Sequence, residues 1–139
     1  MQIIELLTPH YEVAWLPWAV QYFFLVGVAT GAALLVSLCV CQPRSAALQR
    51  LLPVAVLTLA VSAMAAPVSL LADLHQPARF WHFYAHFTPW SWMSVGALLL
   101  PAFVGLSLLV CLLWWLGQQR VMRWLAPLLI LSALSIVVY

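Results

Sequence analysis

Residues 15–41 run from Trp15 to Cys41 without one formal charge, and three further uncharged, apolar runs follow at 51–72, 92–116 and 124–139. In water such segments would need a core far larger than a chain of 139 residues can build, because 67% of the residues are hydrophobic and only 6% are charged. A lipid bilayer removes that difficulty. At ~1.5 Å per residue the first three runs each exceed the ~30 Å thickness of hydrocarbon. The fourth is shorter, about 24 Å of helix by the same rise, and stops with no polar flank. It reads as a span cut short, or as one that finishes exposed at the interface on a lone aromatic, Tyr139. The expected fold is therefore all-α: a polytopic membrane protein whose four transmembrane helices form an up-down bundle, in a single transmembrane domain over residues 1–139.

Orientation follows from the arginines. Arg44 and Arg50 fall in the first connection and Arg120 and Arg123 in the third, whereas Glu5, Glu12, Asp73 and a single basic residue, Arg79, fall before the first span or in the belt at 73–91. Cytoplasmic loops carry the basic excess, so the amino terminus and the belt are expected outside and the arginine-rich turns inside. The first fourteen residues have no basic residue, so they lack the n-region of a secretory signal, and the first span is read as retained. A formal charge of +2 gives no footing for nucleic acid. Cys39, Cys41 and Cys111 sit in or at the end of apolar runs, as buried free thiols do, and form no paired framework. Gly27 and Gly31 make a GxxxG, a motif for close helix packing, and Pro67 and Pro101 are candidate kinks.

The chemistry is concentrated in LLADLHQPARFWHFYAHFTPWSWMS at 71–94. An up-down arrangement carries the start of the first span, the end of the second and the start of the third to one membrane face. There Gln21, Tyr22, Asp73, His75 and Ser91 can converge, walled by Trp18, Trp81, Trp90 and Trp92. A pocket of this kind admits a lipid-soluble ring and offers groups that exchange protons. A quinone fits it: releasing two electrons and two protons from a quinol requires a partner at each ring oxygen and an acid–base group with a route to water. His75 and Asp73 suit that work. Simpler roles exist for the same residues. Tryptophan and tyrosine at span ends form the ordinary interfacial belt, Asp73 can pair with Arg79, and His82 and His86 read as solvated interfacial residues more readily than as zinc ligands. No histidine occurs within any span, so the axial pair that holds haem between helices is missing, and no cysteine set for an iron–sulfur cluster is present. Neither cofactor is expected in this chain.

Two motifs, WLPWAVQYFFLVGVATGAAL at 15–34 and ADLHQPARFWHFYAHFTPWSWMSVGALLLP at 72–101, resemble the NrfD/polysulfide reductase family of membrane subunits, and the second points to its tetrathionate reductase branch. The resemblance covers three spans; the fourth is generic. It implies a half of the larger NrfD-like fold, the amino-terminal, quinol-binding bundle of a multi-pass protein in the bacterial cytoplasmic (inner) membrane. It further implies menaquinol or ubiquinol as the electron source, an iron–sulfur electron-transfer subunit docked at the extracytoplasmic face and a molybdopterin catalytic subunit beyond it. On that reading the chain is a membrane subunit of a quinol-dependent oxidoreductase complex, without the terminal catalytic centre. Gln21 and Tyr22 in one motif and Asp73 and His75 in the other become the quinol-site residues. Where the family commonly reads Asp-Leu-Gly-Arg-Pro this chain has Asp73-Leu74-His75-Gln76-Pro77, which moves the basic group to Arg79. A non-redox membrane anchor or assembly module, or a fragment of a longer protein, is the alternative. A small transporter is disfavoured because no charge lies at mid-membrane depth.

Overall fold

A computed structural model describes residues 17–73, 78 and 81–139. Four long helices carry the fold: α1 (Pro17–Cys41), α2 (Ala46–Asp73), α4 (Trp92–Trp115) and α5 (Gln119–Val138), with a single-turn α3 (His82–Ala85) between α2 and α4. No strand is present among the described residues. All four long helices have the length and apolarity to cross a bilayer. Large apolar side chains cover their outer faces, for instance Val54, Leu57, Val61 and Val68 along α2. A helix that is apolar both inward and outward belongs in lipid, and the chain is a multi-pass membrane protein.

The helix ends are set by polar residues that hydropathy does not register. Ser45 caps α2: its Oγ accepts a hydrogen bond from the Leu48 N–H at 3.4 Å. The helix thus begins before the apolar run and takes Arg50 onto its first turns. Beside it the Gln49 side chain donates from Nε2 to the Cys39 carbonyl at 2.9 Å, satisfying a C-terminal carbonyl of α1. At the other short connection Gly117 has φ +73°. The Gln118 N–H bonds the Leu113 carbonyl at 2.9 Å and the Gly117 N–H bonds Trp114 at 3.0 Å. This is a Schellman closure of α4, which needs a residue without Cβ at the left-handed position.

Short turns make α1–α2 and α4–α5 antiparallel neighbours, and α1 also packs on α5 while α2 packs on α4. The four form a closed ring in the order α1, α2, α4, α5, with every neighbouring pair antiparallel: the up-down bundle. Its interior is built largely from small residues, Ala29, Ala33, Ala55, Ala63, Ala126 and Ala133, around Val36, Leu59, Phe103, Met122 and Leu129. Small side chains let backbones approach, which is how helices gain contact energy in lipid, where burial from water is no driving force. The buried hydroxyls mostly return to their own helices, Ser37 to the Ala33 carbonyl at 2.8 Å and Ser62 to Thr58 at 2.6 Å. Pro53, Pro67, Pro101 and Pro127 all lie inside helices that continue through them. Gly27 and Gly31 point away from the bundle; a Cβ at either would meet nothing within 4 Å. The close packing expected of that GxxxG is made instead by the alanines on the opposite face of α1.

Candidate functional site

The antiparallel ring brings four helix ends together at the belt face: the start of α1, the end of α2, the start of α4 and the end of α5. Trp18 and Gln21 on the first turns of α1 are exposed, whereas Tyr22 is half-buried. The Tyr22 ring leans on Phe23 with centroids 5.3 Å apart. Among the described residues its hydroxyl has no hydrogen-bond partner within the chain, so it is free to serve a ligand. Asp73 is the last residue of α2, which puts its backbone at this face. The Asp73 side chain, His75 and Arg79 lie outside the described residues.

Ser91 occupies the N-cap position of α4 with extended backbone, φ −99° and ψ 126°, yet its side chain makes no capping hydrogen bond. The cap is met by backbone instead, as the Ser94 N–H reaches the Ser91 carbonyl at 3.1 Å. The Ser91 hydroxyl is thus uncommitted and partly buried. Ser94, which sequence reading passes over, is the buried polar residue here: its Oγ lies 3.3 Å from Thr88 Oγ1 and ties the belt to α4. Trp90 is 95% exposed, and Trp92 and Trp81 are exposed too, so within this chain none of the three closes a wall. The Trp81 ring stacks on His82 at 3.8 Å, and His82 faces His86 at 6.5 Å on the turn of α3, all three exposed.

One further residue belongs to this face. Tyr139 reads from sequence as a lone aromatic at the end of a short span. In the bundle its ring lies against Gly96, one turn into α4, where an added Cβ would collide with Cζ and the hydroxyl. Its phenol also stands close enough to Tyr22 for the two to interact electrostatically. The only sequence trace of this arrangement is a glycine on α4 at the same depth as two tyrosines. Two phenols, an uncommitted serine hydroxyl and an exposed glutamine therefore share the end of the bundle that the Asp73 backbone reaches. The arrangement can donate and accept hydrogen bonds around an apolar ring arriving from lipid.

The family model for polysulphide reductase, NrfD, matches residues 6–139. A membrane-complex relative, one of the tetrathionate reductase subunits of Salmonella typhimurium, is 43% identical over 148 aligned positions, which take in 99% of this chain and 41% of that protein. The chain thus spans less than half the length of this curated relative. No solved structure matches it. With the model covering all four helices and both belt motifs, the chain belongs to the NrfD, polysulphide reductase, family.

Proposed function

We propose that this chain forms the quinol-oxidising part of a membrane subunit that passes electrons to an iron–sulfur partner of a molybdopterin oxidoreductase, of the tetrathionate or polysulfide reductase type. The observation that carries the proposal is the 43% identity to the Salmonella tetrathionate reductase protein across nearly the whole chain. The geometry at the belt face is consistent with it: half-buried Tyr22, its hydroxyl unpaired within the chain, stands beside Tyr139 at the mouth of an otherwise apolar bundle. These groups fit a quinone ring, which demands apolar walls and a few polar contacts at its oxygens.

The bound quinol would supply two electrons and two protons. Tyr22 and Gln21 hydrogen-bond one ring oxygen, and Ser91 lies where it can serve the other. Trp18 and Trp90 border the entry from lipid. His75 accepts the proton released on oxidation and Asp73 passes it to extracytoplasmic water, a division of labour suited to an imidazole titrating near neutrality beside a carboxylate. Electrons leave to the partner, because this chain holds no ligand set for haem or an iron–sulfur cluster. The chain sits in the bacterial cytoplasmic membrane with the belt outside, so that partner docks at the belt face.

Binding of a menaquinol or ubiquinol analogue to the purified chain in nanodiscs tests the reading. Binding that His75→Ala removes, with helicity unchanged, is the expected result. A folded wild-type chain that binds no analogue would favour a membrane anchor without a redox role.

A further inference from the structure

Four of the five arginines, Arg44, Arg50, Arg120 and Arg123, are exposed at the end of the bundle opposite the belt. Their segments converge there. A notch of about 10 Å³ is lined by Val40 and Pro43 after α1, by Gln49 and Leu52 of α2, and by Gln119 of α5. Arg44, Arg50 and Arg120 each directly follow one of these residues. The notch has room for no more than one water, so it marks where the segments meet and is not itself a ligand pocket. The chain's three acids are Glu5, Glu12 and Asp73, and none falls in either connection at this end. The four guanidinium charges are therefore left without a carboxylate from the two turns that carry them.

What lies directly below them decides the kind of counter-charge. On α2, Arg50 is continued at helical spacing by exposed Val54, Leu57 and Val61. On α5, Arg120 is continued in the same way by exposed Trp124, Leu128 and Leu131. Each row starts on a fixed cation and runs on as bare apolar surface into the depth of the membrane. Trp115 and Trp124, both more than three-quarters exposed at this end, mark the head-group level. An acidic protein surface would meet the arginines and leave the rows untouched. An amphiphile with an anionic head and acyl tails meets both.

We propose that the Arg44, Arg50, Arg120 and Arg123 end of the bundle is a binding surface for anionic phospholipids, with phosphate oxygens on the guanidinium groups and acyl chains along the apolar rows of α2 and α5. Guanidinium matches phosphate bidentately, and a basic side chain near a membrane surface strengthens the attraction to anionic lipid by about fivefold. The proposal is independent of the quinol reading, which concerns the opposite face.

The test is lipid retention. The purified chain is incubated with an equimolar mixture of phosphatidylglycerol and phosphatidylcholine, gel-filtered at a set salt concentration, and its retained lipid is extracted and quantified. Wild type should retain phosphatidylglycerol over phosphatidylcholine by about tenfold or more at low salt. That preference should collapse near 1 M salt, where the screening length falls to about 3 Å. Replacing all four arginines by glutamine should bring retention to parity, whereas replacing them by lysine should keep most of the preference. The salt series needs no variant, so a glutamine variant that fails to fold does not rescue the proposal. Parity in wild type, insensitivity to salt, or a preference that survives in a folded glutamine variant would each overturn it. Displacement of phosphatidylglycerol by millimolar inorganic phosphate would instead assign the surface to a soluble anion. Displacement by polyglutamate would assign it to an acidic protein.

Discussion

At the scale of single residues, the belt face separates groups already spent on structure from groups held in reserve. Ser91 stands where a serine normally caps a helix, at a stability gain of about 1 kcal/mol, but its hydroxyl is unused. Ser91→Ala should therefore shift thermal unfolding in detergent by less than ~0.5 kcal/mol while weakening binding of a quinol analogue. Gly96→Ala should act similarly. The group it strikes is the far end of the exposed Tyr139 side chain, which can swing aside, so stability should hold within ~0.5 kcal/mol while quinol-linked turnover falls. Gly105→Ala, on the same helix with open space around it, should change neither. His75→Ala should lower quinol-linked turnover by about 10²-fold or more, the usual range for a lost acid–base group, with membrane insertion intact. Turnover equal to wild type would remove His75 from the site. Tyr22 was legible from sequence because an aromatic hydroxyl near the start of a span is unusual. Tyr139 was not, because its meaning rests on contacts with α4 and α1 that no local pattern encodes.

At the scale of elements, charge-free length identified all four helices, since nothing but lipid accommodates such runs. Their ends escaped that signal. α2 starts at Ala46 and α5 at Gln119, several residues before the apolar runs, because Ser45 and Gln49 on one and the Gly117 turn on the other satisfy backbone groups with side chains that hydropathy scores as loop. The GxxxG of α1 shows a different limit. A small-residue pair says that something can come close, but its direction depends on where the partner helices lie, and here they lie on the alanine face. Ala33, wholly buried, is accordingly the sensitive position: Ala33→Leu should force α1 off the bundle core and cost about 1–3 kcal/mol in a detergent unfolding titration. Gly31→Leu should leave the same titration unchanged, because a side chain there meets no helix of this chain.

At the scale of the whole molecule, the ring of antiparallel helices assigns the arginine turns and the belt to opposite sides of the membrane. Placing the belt outside predicts a labelling pattern. In a chain whose own cysteines are replaced, a cysteine at Thr88 should react with an impermeant maleimide on intact cells, and one at Ser45 only after permeabilisation. The reverse pattern would invert the orientation and move the proposed proton exit to the cytoplasm. The two tight connections, capped by Ser45 and closed at Gly117, carry one more consequence, for biogenesis. Each ties a pair of helices into a hairpin whose tip stays on the side of synthesis, so the segment joining the hairpins is the one inter-helix stretch that has to be driven across the bilayer. That stretch holds Asp73, Arg79 and three of the four histidines, which makes the belt the costliest part of the chain to translocate and its crossing the step at which insertion of the bundle is decided.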